Sequence, residues 1–103
     1  MKTKTIALPR LNNLKPSLES TALKLMEEAG ELGALIGKFR GLSGERVEMD
    51  RHEVTRSISL ELLDVAQTAI TMMFVLEEQH EIDIEAALSE HVEKLIRKNY
   101  LKL

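Results

Sequence analysis

The sequence predicts an all-α protein, a bundle of three main helices per chain that is completed by oligomerisation. Three observations lead there. Aromatic residues make up only 3% of the chain, so the core must come from Leu, Ile, Val, Met and Ala, a set that suits packed helices. No stretch sustains the apolar–polar alternation of a half-buried strand. Capping residues stand ahead of three long segments with helical spacing. At 103 residues the chain has room for one core and not for two.

Residues 1–16 form an irregular N-terminal arm, because Pro9, the Asn12-Asn13 pair and Pro16 interrupt any helical register. Residues 17–103 form the helical domain. Ser17 is an N-cap for a first helix to about Phe39, and Gly41 is a natural stop. Residues 41–49 read as a loop with two glycines. Asp50 with Glu53 has the spacing of a capping box and starts a second helix running to about Gln79. His80-Glu81-Ile82 makes a corner, and Asp83 caps a third helix through about Asn99.

On a wheel of about 100° per residue, Ala22, Leu25, Met26, Ala29, Leu32, Gly33 and Ile36 form the core seam of the first helix. Lys24, Glu28 and Glu31 lie at the edge of that seam, with Leu35 among them. The second helix is apolar nearly all round, from Leu60 to Leu76. Such a helix must be buried all round, which three helices alone do not achieve. Its polar residues Ser57, Glu61, Asp64, Thr68 and Thr71 fall in one narrow arc.

Whole-chain properties narrow the function. A net charge of −3 argues against a nucleic-acid polymer as partner. The absence of cysteine excludes disulfides and thiolate metal sites. No apolar run approaches the roughly 20 residues of a membrane span, and Pro9 and Arg10 interrupt the basic start before a signal region forms. The expectation is a cytoplasmic protein without membrane contact.

The acidic arc needs a counterweight. An unpaired buried carboxylate costs several kcal/mol (roughly), and two on one buried helix raise each other's pKa. Glu28 and Glu31 are spaced i,i+3, as are Glu61 and Asp64. Side chains at that spacing share a helix face, with Cβ atoms about 5–6 Å apart. Two such helices packed together surround one small volume with hard oxygen ligands, the donor set of Mg²⁺ or Mn²⁺ and not of zinc. Mg²⁺ commonly shares its shell with substrate phosphates.

Glu27-Glu28-Ala29-Gly30-Glu31-Leu32 and Glu61-Leu62-Leu63-Asp64-Val65 together resemble the ExxE…ExxD signature of the MazG-like, all-α nucleoside triphosphate pyrophosphohydrolases. Glu81 to Leu88, then His91, Lys94-Leu95, Arg97 and Tyr100, is similar to the closing segment of that family. The likeness covers roughly residues 17–100. It implies a bundle that dimerises or tetramerises, and Mg²⁺-dependent cleavage of a nucleotide between the α- and β-phosphates. By position it implies metal ligation by Glu28, Glu31, Glu61 and Asp64, phosphate contacts from Lys94 and Arg97, and a further phosphate contact from Lys24. The nucleophile would be a metal-activated water and not a side chain.

Other readings stand beside this one. The same fold without catalysis would be a helical oligomerisation or interaction module. A di-iron carboxylate bundle ranks last, since neither acidic pair has a His at the i+3 position such sites use. His91 reads as a hydrogen-bonded core residue, and Met72 and Met73 as core filler. Gly44 and Arg46, with Lys38 and Arg40, read as a surface loop in preference to a phosphate lid.

Overall fold

The computed structural model of the chain describes residues 1–41 and 50–103. Three helices follow in order: α1 Leu18–Phe39, α2 Arg51–His80 and α3 Ile84–Arg97. There is no strand among the described residues. The expected loop with Gly44 and Arg46 lies outside them.

α1 starts as its sequence dictates. The Ser20 amide donates to Ser17 Oγ at 3.1 Å and the Ser17 amide donates back to Ser20 Oγ at 2.9 Å, a reciprocal box built from two serines. α1 ends where Gly41 takes φ +71°, a left-handed conformation that glycine adopts without a Cβ clash. α2 starts differently from expectation. Asp50 precedes it with φ −58° and ψ 136°, and its side chain accepts no cap bond, so the Asp50–Glu53 capping box does not form. What Asp50 and Glu53 still offer is negative charge near the positive end of the helix. α3 is capped by Asp83, whose Oδ1 accepts from the Ala86 amide at 3.1 Å. It ends at Arg97, two residues short of expectation. Asn99 turns left-handed (φ 60°) and the Tyr100 amide donates to the Leu95 carbonyl at 3.0 Å, closing the C-terminus.

α1 and α2 pack against each other along their length, whereas α3 touches only α2 and makes no contact with α1. The arm, though irregular, is not loose. The Arg10 guanidinium grips the Glu78 carboxylate through contacts of 2.6, 2.8 and 3.1 Å. Gln67 Nε2 donates to the Pro9 carbonyl at 2.9 Å, and Gln79 Nε2 to the Pro16 carbonyl at 3.1 Å. The arm is thereby laid along α2.

The seam between α1 and α2 departs from the expected one. Among the described residues the buried apolar side chains are Val54 and Val75, and the other buried positions are polar: Thr21, Glu28, Thr68 and Thr71. On α1 the inward face runs through Thr21, Leu25, Glu28, Leu32 and Leu35, whereas Met26 is 73% exposed and Ala29 and Gly33 face out. The helix is therefore rotated from the apolar seam toward its acidic edge, and Glu28 sits inside instead of beside the core. The reason is the partner surface. α2 presents its polar arc, with Thr68 and Thr71 buried, to α1, and carboxylates fit against that arc better than Met26 does.

The apolar remainder of α2 is left uncovered by its own chain. Leu60, Leu62, Leu63 and Met73 are between 37% and 54% exposed. The most apolar 18-residue window of α2 has a mean hydropathy of 1.5 and is only 17% buried. By length and composition α2 thus meets the criterion for a membrane span, against the expectation that no segment would. Any such window must contain both Glu61 and Asp64.

Candidate metal and substrate site

The site is assembled where the acidic edge of α1 meets the polar arc of α2. Glu28, Glu31 and Glu61 each bring a carboxylate oxygen to within 4.8 Å of the other two. Glu28 is 6% exposed. Three carboxylates this close repel one another, and the repulsion leaves a trace. The Glu31 carboxyl is held above the ordinary glutamate value, first by neighbouring Glu28, then by loss of solvent, then by Glu61.

Lys24 supplies partial relief. Its Nζ lies 3.0 Å from Glu28 and 3.7 Å from Glu27. The bond to Glu28, followed by the charge of Glu27, raises the pKa of Lys24 above the ordinary lysine value. One lysine does not neutralise the cluster. Oε2 of Glu61 is sealed from solvent and has no hydrogen-bond partner among the described residues. Buried carboxylate oxygens are nearly always paired, and an orphaned oxygen on a carboxylate clustered with two others fits a bound cation. The donor set is all oxygen, which matches Mg²⁺ or Mn²⁺.

Asp64 is not part of the three-carboxylate cluster. An i,i+3 step rotates a side chain about 60° around the helix axis, and with Glu61 turned toward Glu28 and Glu31, Asp64 is exposed beside them. It lines the adjoining cleft with Lys24 and Glu28. That cleft encloses about 410 Å³ and continues past Gln67, Thr68 and Thr71 to Leu11, Leu14, Lys15 and Pro16 of the arm. Lys94 and Arg97 are not brought to the cluster within one chain, because α3 makes no contact with α1.

Sequence reasoning missed the arm and Gln67. The arm carries no periodicity to read. Gln67 did leave a signal, as the one carboxamide in an otherwise apolar stretch of α2. Phe39, Phe74 and Tyr100, all the aromatics of the chain, are absent from the cleft lining.

The cluster makes a thermal prediction. Glu31 holds its proton more tightly in the folded protein than in the unfolded chain, so the metal-free fold is favoured below pH 4.5 and loses that advantage as pH rises through Glu31's raised value. Above that range a divalent cation should restore stability. Melting curves with and without MgCl₂ should differ by several degrees (roughly) at neutral pH, and the gain should vanish as the carboxylates protonate in acid. A gain independent of pH would place the ion elsewhere.

A family model for the MazG nucleotide pyrophosphohydrolase domain matches residues 16–100. No curated protein and no solved structure matches the chain.

Proposed function

Because the chain belongs to the MazG nucleotide pyrophosphohydrolase family, we propose that it is a Mg²⁺-dependent enzyme that converts a nucleoside triphosphate to its monophosphate and pyrophosphate. The observation that carries this reading is a Glu61 carboxylate that has an orphaned, buried oxygen and is clustered with Glu28 and Glu31. A non-catalytic module would gain nothing from three crowded carboxylates at the centre of its only long helix pair, and apolar or amide side chains there would be more stable.

Glu28, Glu31 and Glu61 would hold the cation, and Asp64, at the lip of the cleft, would stand beside them as a further oxygen ligand. An ion held there would neutralise phosphate charge and would supply an activated water for attack on the α-phosphorus. In that attack a new O–P bond forms, the bridging oxygen to the β-phosphorus departs with pyrophosphate, and the water's protons pass to solvent. Lys24, whose Nζ lies on Glu28, would be free to turn to a phosphate oxygen if a cation took its place beside that carboxylate. That exchange would keep both Lys24 and Glu28 paired throughout. Lys94 and Arg97 would then meet phosphate only across a subunit boundary, in a homo-oligomer whose second chain covers the exposed face of α2.

The test is product analysis. Canonical and modified nucleoside triphosphates are offered with Mg²⁺ or with a chelator, and pyrophosphate and orthophosphate are measured separately. Pyrophosphate release that stops with chelator is the expected result. Orthophosphate release alone, or no product from folded protein across the panel, counts against the proposal.

A further inference from the structure

The cleft beyond the carboxylates has a wall that lies outside the helix pair. From Asp64 to Thr71 it follows α2 for seven residues, about 10 Å at 1.5 Å per residue. The end at Asp64 carries the acidic cluster and Lys24. The far end is closed by Leu11, Leu14 and Pro16 of the arm. A nucleotide held by its phosphates at the first end has its nucleoside at the second.

A fixed polar group, Gln67, stands midway between the two ends. The Pro9 carbonyl can only accept, so the Gln67 amide nitrogen must face it, and the bond is 2.9 Å long. The same nitrogen lies 3.4 Å from Thr71 Oγ1. Both amide hydrogens are thereby engaged, and Oε1 is left as an acceptor with a defined orientation in a cleft-lining side chain. The arm that sets this orientation is itself anchored, by the Arg10–Glu78 pair and by Gln79 on the Pro16 carbonyl. No aromatic lines this cleft, and the apolar contact it offers a base is the aliphatic carbon of Leu11 and Leu14.

We infer that the N-terminal arm is the nucleoside wall of the cleft, in which Leu11 and Leu14 pack on the base and Gln67 Oε1 accepts from an N–H on its edge. The inference rests on the proposed pyrophosphohydrolase reading for the orientation of the ligand. It adds a specificity role for residues 11 and 14, which precede the family match at residue 16.

The experiment measures binding without turnover in the full-length protein. α,β-Methylene analogues of dATP, dCTP, dGTP and dTTP, and inorganic tripolyphosphate, are titrated calorimetrically in Mg²⁺. Leu11 and Leu14 are replaced together by serine, and Gln67→Ala is made separately. In the double variant, affinity for the preferred nucleotide analogue should fall about tenfold, while tripolyphosphate, which has no base, binds as before. Gln67→Ala should level the preference among the four bases. Retained tripolyphosphate binding also reports that the variants are folded. Equal loss of both ligand types, no loss of either, or an unchanged base ranking in Gln67→Ala overturns the inference. Failure of wild-type protein to hydrolyse nucleotides would refute the enzyme assignment separately, because these titrations read the wall without catalysis.

Discussion

Replacing Glu61 with glutamine is expected to reduce Mg²⁺-dependent pyrophosphate release by about 100- to 1,000-fold, the scale on which a single electrostatic contact in an active site acts. The metal-free protein should become more stable by the same change. Glu61 Oε2 is buried without a partner among the described residues, and the Glu61 carboxylate is clustered with those of Glu28 and Glu31. An amide in its place removes one of three crowded negative charges and offers N–H donors to the other two. The gain should be on the order of 1 kcal/mol, the net worth of satisfying a buried polar group. Opposite signs for activity and stability mark a residue kept for binding a cation at the expense of the apo fold. Melting curves and the release assay on the same preparation read both. A variant that loses stability, or that keeps full turnover, would place the cation away from Glu61.

The second large effect is on assembly. The chain exposes 8508 Å², against about 5,800 Å² for a compact monomer of this mass. Its radius of gyration is 16.8 Å, against about 13 Å for a compact chain of similar length. Part of that surface is apolar: Leu62 is 54% exposed on α2, and Leu88 is 53% exposed on α3, which has no buried residue. The wild-type protein should therefore run at the mass of two or more chains in light scattering. Leu62→Glu should drive it to a monomer that melts at a markedly lower temperature, because a new charge on that face opposes burial. A Leu62→Glu protein of unchanged mass and melting point would show that this face of α2 is not the assembly surface. The same exposed face allows a membrane span by length and composition. Against that, Glu61 lies in the spanning window and belongs to a three-carboxylate cluster with α1, costly inside lipid.

What the sequence disclosed and what it hid divide by distance along the chain. The Ser17 cap, the corner at Glu81 and the Asp83 cap are decided by neighbours within about four residues, and all three were legible. The polar arc of α2 was legible too, because Glu61 and Thr68 stand out against an apolar helix. The rotation of α1 was not. Counting apolar residues favoured Met26 and Ala29 over Glu28 as the inward face, and only the polar surface of α2 reverses that choice. The two i,i+3 pairs suggested four equivalent carboxylates. The helix angle turns Asp64 out of the cluster and onto the cleft, a distinction that spacing alone does not carry. The arm was least legible of all. Its anchor joins Arg10 to Glu78 across 68 positions, and no local pattern in residues 1–16 announces it.

The central claim is that Glu61, with Glu28 and Glu31, holds a divalent cation beside a nucleotide cleft. Its most direct test is electron paramagnetic resonance of Mn²⁺ titrated, without nucleotide, into wild-type protein and Glu61→Gln. Wild-type protein should deplete the free-Mn²⁺ signal, and Glu61→Gln should leave most of it. Equal depletion by the two proteins would contradict the claim.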